Sequence, residues 1–305
     1  MSFSLNRLYR EIGISKQAIS QYDKRQRIFD HNIGTMLVEA DQLRAEHPGC
    51  GVEKMYRTLE PDFIGRDRFI EVIMDLGYRI KYRKNYKKTT IASKVYYPNL
   101  IKGMKVSRPS MIWQSDITYI PLGDRHYYAV FIIDIYTKKI VGYKVSDNMR
   151  AQANMDALKM ALKDNSPPDY HHSDRGGQYI YKKYVDLLKS NGTQISMAMS
   201  AQDNAYAERI NRTVKEEYLN YWKAKDLRSL RKNVKKAVQN YNNKRKHNNL
   251  PDMRPTEFEV FWNTLKPRDR PIEVVYDNEV INDRVYNIPT THEPNNQGLV
   301  KSLKY

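Results

Sequence analysis

The sequence predicts an α/β fold, a mixed sheet with flanking helices, preceded by small all-helical modules. Three observations predict it. Apolar residues recur at helical spacing up to about residue 80. From residue 110 aromatic and β-branched residues crowd into three short consecutive runs. Beyond those runs, helix-like and strand-like segments alternate. The 305 residues are 40% hydrophobic and 29% charged, enough apolar surface for a core and too much for a disordered chain.

The N-terminal part comes first. Leu8 and Ile12 precede the turn-forming Gly13, and Ser15 is placed to cap a helix through Lys16, Ala18 and Ile19. Helix, glycine turn and capped helix make the outline of a helix-turn-helix over residues 1–44. A second helical module, expected to bind DNA, spans 45–80. It holds runs at 51–59 and 67–76 around Pro61 and Gly65, with Ile70, Ile73 and Met74 on one face and Gly77 as the stop. Residues 81–109 form a basic linker. Lys84, Lys87 and Lys88 alternate there with Tyr82, Tyr86, Tyr96 and Tyr97, and no acid falls between Lys81 and Lys105. Such a segment can neutralise phosphates and stack on bases, or serve as a plain solvated connector.

The core is expected over 110–265. Strands are predicted at 113–122, 126–136 and 139–145, separated by Gly123-Asp124 and Thr137-Lys138. A helix follows at 151–164, with Met155, Leu158, Ala161 and Leu162 on one side. Pro167-Pro168 then breaks the chain before a short strand at 170–172. A helix at 182–190, a strand at 194–197 and a helix from Asp203 complete the order, which is that of a ribonuclease-H-like fold with five strands. A further helix at 227–243 carries Leu230, Val234, Val238 and Tyr241 as its buried stripe. Arg231, Lys232, Lys235 and Lys236 occupy its outer face. The tail, 266–305, shows weak strand signals near Val274 and Val285 and suggests no role.

Three acids stand out. Asp116 lies inside the first core strand, where an ionised side chain is costly unless paired or bound to a cation. Asp174 follows the strand YHH in HHSDRGGQY, where a strand end meets a glycine-rich loop. Glu208 sits in the helix opened by Asp203-Asn204, with Asn211, Arg212 and Lys215 on the same face. In the expected fold the fourth strand borders the first and the last helix packs across both, so the three carboxylates can converge. Carboxylates suit Mg²⁺ or Mn²⁺. Two such ions ~3.5–4 Å apart would activate an attacking oxygen and stabilise a leaving one. Asp116 would bridge them, Asp174 and Glu208 would hold one each, and Arg212 and Lys215 would grip phosphates. Other polar residues have simpler readings: Asp134 in turn pairing, Asp203 as a helix N-cap, Glu216 and Glu217 as surface acids, and His171 and His172 as structural.

Charge narrows the partners. Lys and Arg number 52 against 35 acids, a net +17, which favours a polyanion, most simply DNA. The single Cys50 excludes an internal disulfide framework or a cysteine-cluster zinc site. No apolar run is long enough to span a membrane and no secretory signal is expected, so the protein is placed in the cytoplasm.

WQSDITYI, HSDRGGQY, DNAYAERINRTVKEE and YNNKRKHNNLPDMRPTEFE, in that order, resemble the integrase-type core of bacterial insertion-sequence transposases of the IS-three family, OrfB type. The resemblance runs from about residue 45 to 262, with HPGCGVEKMYRTL through GYRIK resembling the helical module before the core. It implies a DDE metal site at Asp116, Asp174 and Glu208, with Lys215 as the basic residue after the glutamate. It implies a mostly structural closing motif at Tyr241, Asn242, His247, Leu250, Pro255 and Phe258. The interval between Asp174 and Glu208 is slightly shorter than usual, and Arg209 replaces a small residue. The implied activity is metal-dependent cleavage and strand transfer at the ends of an insertion sequence, with DNA transposition, recombination and integration as the outcome. Implied partners are double-stranded DNA (terminal repeats and target), further copies of the chain on the bacterial nucleoid, and a fused upstream reading-frame product. The alternatives are a catalytically inactive DNA-binding regulator, such as a domesticated remnant, and a plain nuclease.

Overall fold

The computed structural model describes Tyr9, residues 11–80 and residues 97–276. Lys84, Lys87, Lys88 and the strand signal near Val285 lie outside the described residues. Gly13 turns the chain at φ +67°, and the Ser15 hydroxyl then accepts the Ala18 N–H at 3.0 Å, capping helix α1 (Lys16–Glu46). This helix runs much further than the sequence outline suggested, and the expected division at 44/45 falls inside it. Its second half buries Ile33, Met36 and Ala40 against α2 (Val52–Leu59) and α3 (Arg66–Ile73). Phe69 and Ile73 fill the centre of this small core, while Ile70 and Met74 flank it. Gly77, at φ +91°, ends the segment where an L side chain would be strained.

The core opens with β1 (Lys105–Val106), then β2 (Ile112–Leu122), β3 (Arg125–Asp134) and β4 (Ile140–Ser146). Helix α4 (Ala151–Asp164), β5 (Tyr170–Ser173), α5 (Lys182–Ser190), β6 (Gln194–Met197) and α6 (Ala205–Val214) follow. Then come α7 (Leu227–Asn243), α8 (Pro255–Thr264) and β7 (Glu273–Val274). The five-stranded sheet has the order β4-β3-β2-β5-β6, with β2, β3 and β4 antiparallel and β5 and β6 parallel to β2. The expected ribonuclease-H-like architecture is present.

Strand alternation gives the sheet two apolar faces. Trp113, Val130 and Ile132 point to one, under Leu158 of α4 and Leu188 of α5. Here Gly142 lets a helix approach closely, since an added Cβ would lie 2.3 Å from the Ala157 carbonyl oxygen. Ile120, Phe131 and Ile133 point to the other face, under Ile210 and Val214 of α6 and Leu230, Val234 and Val238 of α7. Gln114 and Asp116 share the parity of Ile120, so they address the α6 side. The basic residues of α7 are exposed, as its pattern requires.

The polar residues with simpler readings have specific partners. Asp134 is buried and accepts N–H groups from Ser110, Tyr136 and Thr137, fixing the turn after β3. Closing-motif residues Tyr241, Asn242, His247, Leu250 and Phe258 are all buried. Asn242 pairs with Ile140 through both amide groups at 2.9 Å, completing the edge of β4 as another strand would. In the tail, β7 pairs with β1 at the position of the Val274 signal. Glu273 there forms an ion pair with the buried Lys138 at 2.7 Å.

The helical module is docked on the core. Gly49 donates its N–H to the Glu217 carbonyl at 2.8 Å, and an added Cβ at Gly49 would lie 2.3 Å from Glu217 Cα. Glu217 is therefore no surface acid. Arg245 grips its carboxylate at 2.6 and 2.7 Å and Lys54 binds it at 2.9 Å. His47 lies 2.7 Å from the Tyr218 hydroxyl beside it. Among the described residues, no helix is long and apolar enough to cross a membrane.

Candidate active site

The register of β2 and β5 sets the site. Gln114 faces His172 and Ser115 faces Ser173; Asp116 and Asp174 are the next residues on each chain. Neighbouring strands lie about 4.8 Å apart, so this order brings the two aspartates side by side at the end of the parallel pair. Asp116 is half-buried, and its Oδ2 accepts the Asn211 Nδ2–H of α6 at 2.7 Å. Asp174 begins the glycine-rich loop, and its Oδ1 accepts the Gly176 N–H at 3.0 Å, a local turn that holds the carboxylate at the strand end. A side chain at Gly176 would crowd that oxygen, since its Cβ would stand 3.0 Å away.

Glu208 stands in the first turn of α6, exposed on the helix surface. Asp203, expected to be the N-cap of that helix, is placed differently. It is the third residue of a short 3₁₀ turn (Ala201–Asn204) capped by Ser200, and its carboxylate reaches back to accept the Met199 and Ser200 N–H groups at 3.0 Å.

The charges of Asp174 and Glu208 act on Asp116, and that of Asp174 acts on Glu208. Burial first, then the charges of Asp174 and Glu208, push the Asp116 carboxyl up to about 7 against the lowering hydrogen bonds from Ile117 and Asn211. Burial likewise raises Asp174, opposed by its bond to Gly176. Glu208 is raised by desolvation and by Asp174, and lowered by Arg212. Lys215 is lowered by burial, while the negative charge of Asp116 favours its protonated form. Arg212 and Lys215 therefore belong to the same electrostatic neighbourhood. Lys235 and Lys236 do not: they lie on the outer face of α7. Lys236 stands 4.6 Å above the Trp222 ring.

An oxygen-only, net-negative donor set suits a hard divalent cation, and the mutual repulsion of these acids is what such a cation would relieve. Among the described residues, no three His, Cys, Asp or Glu side chains already stand close enough to hold an ion. The two histidines are occupied otherwise. His171 Nε2 lies 2.9 Å from the Tyr184 hydroxyl, and His172 bonds to Ser196 and to the Asp203 carbonyl. Gln114 is a functional neighbour that the sequence pattern did not single out. Its Oε1 accepts the Ala207 N–H at 2.8 Å, immediately before Glu208.

Known proteins share this core. A family model described as an integrase core domain matches residues 106–202, and a second of the same description matches 192–255. The chain is 31% identical over 191 residues to the transposase for insertion sequence element IS904 of Lactococcus lactis subsp. lactis (strain IL1403), covering 61% of this chain and 74% of that protein. It is 30% identical over 241 residues to the transposase for insertion sequence element IS629 of Shigella sonnei, covering 77% of each. Among solved structures, it is similar to a chain of the simian T-cell lymphotropic virus intasome in complex with PP2A regulatory subunit B56 gamma. That match has 14% identity and a TM-score of 0.48, and covers 60% of this chain and 64% of the other.

Proposed function

Because this chain belongs to the IS-three family of insertion-sequence transposases with an integrase core, we propose that it cuts and joins DNA strands at the ends of an insertion sequence, using Asp116, Asp174 and Glu208 to hold Mg²⁺ or Mn²⁺, two ions in the full site. The observation that carries this reading is the placement of three carboxylates from β2, the end of β5 and the first turn of α6 around one point, with Asp116 and Asp174 side by side and Asp116 raised to about 7 by burial and by the charges of Asp174 and Glu208. Bound ions would neutralise the phosphate oxygens and ease deprotonation of the attacking hydroxyl. The trio must draw together to take them up.

The remaining groups have roles set by their positions. Asn211 orients Asp116 through the 2.7 Å hydrogen bond. Arg212 and Lys215 bind the phosphates flanking the scissile bond. In the first step water attacks the scissile phosphorus, the P–O bond breaks and a 3′-hydroxyl is released. In the second, that hydroxyl attacks a phosphorus of the target strand and displaces a new 3′-oxygen, so one phosphodiester replaces another without external energy. Positioning and charge neutralisation supply the catalysis. The helical segments 1–44 and 45–80 would recognise terminal repeats, the basic linker 81–109 and α7 would follow the DNA backbone, and two ends would be held by a multimer on the bacterial nucleoid.

The test is cleavage of a labelled end oligonucleotide with Mg²⁺. Wild type should give both cut and joined products, while Glu208→Gln should bind the end and give neither. Cleavage without joining would indicate a nuclease instead. End binding without cleavage by wild type would indicate a regulator.

A further inference from the structure

We propose that Gln114 and His172 are positioning residues that fix the Glu208 helix to the two strands carrying Asp116 and Asp174, by gripping one backbone carbonyl, that of Asp203. This rests on the reading of the trio given above. The two side chains are in-register neighbours on β2 and β5, and both are fully buried. Gln114 Nε2 donates to the Asp203 oxygen at 3.1 Å, and His172 Nε2 lies 2.9 Å from the same oxygen.

The hydrogen positions follow from the partners. Ser196 Oγ accepts the Leu100 N–H at 2.8 Å, which leaves its own hydrogen for His172 Nδ1, also at 2.8 Å. His172 therefore carries its proton on Nε2 and donates to Asp203. Burial holds the ring neutral by lowering its pKa to about 4. Gln114 spends its whole carboxamide: Nε2 also donates to the Tyr276 hydroxyl, and Oε1 accepts the Ala207 N–H.

That last bond explains why the clamp is needed. The first N–H groups of a helix have no partner within it and are usually met by a local cap. The side chain of Asn204, at the N-cap of α6, makes no such bond. The sheet supplies the cap instead, from a residue two positions before Asp116, to the amide one position before Glu208. The start of the Glu208 helix is thus referenced to the acid-bearing strands rather than to its own sequence. A displacement of about 1 Å at such a site costs roughly 100-fold in rate.

The experiment uses the full chain with His172→Asn and His172→Gln. Glutamine places an amide donor near the Nε2 position, whereas asparagine places it near Nδ1. His172→Asn should slow Mg²⁺-dependent cleavage ~10–100-fold with the KM for end DNA unchanged, and His172→Gln should restore most of the rate. Without metal, hydrogen exchange over 203–212 should accelerate in His172→Asn alone, with 151–164 unchanged. Wild-type cleavage by His172→Asn, equal slowing by both variants, or exchange rising throughout the chain would each overturn the clamp. If His172→Asn does not yield folded protein, the same rate and exchange measurements on Gln114→Met decide. Glu208→Gln runs beside them. If it cuts like wild type, the trio is wrong; if it is inactive while His172→Asn is unimpaired, only the clamp falls.

Discussion

Asp116 and Glu217 are both carboxylates drawn out of water, and they end at opposite extremes. Asp116 rises to about 7 through burial and the neighbouring charges of Asp174 and Glu208. Glu217 falls to about 2: burial would raise it, but Arg245 and Lys54 overcome that cost through charge and hydrogen bonds. At the junction of helical module and core, the chain brings its own cations to the acid. At the candidate active site it brings a neutral amide, Asn211, and places further acids alongside. The first arrangement is complete within the protein. The second, on the proposed function, would be completed by a cation and a phosphate from outside.

The largest expected effects separate these two sites. Asp116→Asn should lower strand cleavage on the order of 10³-fold, as loss of a group that organises transition-state charge does. The same substitution removes a repelling charge, so the metal-free protein should melt no lower than wild type. Glu217→Gln should do the reverse. Leaving Arg245 buried without its anion costs about 3–5 kcal/mol of stability, read by denaturant unfolding, while cleavage per folded molecule stays within a few-fold. A stable, inactive Glu217→Gln would break the contrast.

The pH dependence of stability should also carry opposite signs. Glu217 is depressed below its ordinary 4.5, so its contribution is fully present above that value and is lost as pH falls from about 4.5 towards 2. Asp116 is raised above its ordinary 3.8, so the folded state holds the proton more tightly. Stability of the metal-free protein should therefore decline as pH rises from about 4 to 7. Melting curves from pH 2 to 8 would read both slopes. Asp116→Asn should flatten the second and leave the first.

The two sites also differ in how far the sequence exposed them. Strand and helix limits were legible because alternation in β2 to β4 and the Leu230, Val234, Val238, Tyr241 stripe of α7 are local patterns. Asp116 was legible for a related reason: an acid inside an apolar strand is locally anomalous. Glu217 was not, because nothing in VKEEYL marks its partners Lys54 and Arg245, which come from distant parts of the chain. Gln114 was hidden likewise, since a glutamine beside a tryptophan carries no sign that it will cap a remote helix. Asp203 was misplaced because a cap residue and the third residue of a capped turn share the same composition. The length of α1 was missed because its packing against α2 and α3 begins only at Phe29, leaving the first half of the helix without a buried stripe to read.

A smaller effect tests whether the Glu217 site holds the module rigidly. In Gly49→Ala the new Cβ would meet the backbone of Glu216 and Glu217, at 2.6 and 2.3 Å, with no flexible side chain to yield. The interface should open at a cost of about 1–3 kcal/mol, seen as a lower melting temperature and faster proteolysis between module and core. Cleavage of a pre-bound end at permissive temperature should survive better than in Asp116→Asn.

The smallest expected effect lies where charge is neither compensated nor buried. Lys235 is exposed on α7, so its removal should change stability by no more than about 0.5 kcal/mol. If α7 follows a DNA backbone, each phosphate contact releases about one counterion. Lys235→Ala should then weaken end binding a few-fold and reduce the slope of log affinity against log salt by ~1. Lys236 is the poorer probe, because its ammonium stands over the Trp222 ring and its loss would also disturb packing. An unchanged slope in Lys235→Ala would take this face of α7 off the DNA path.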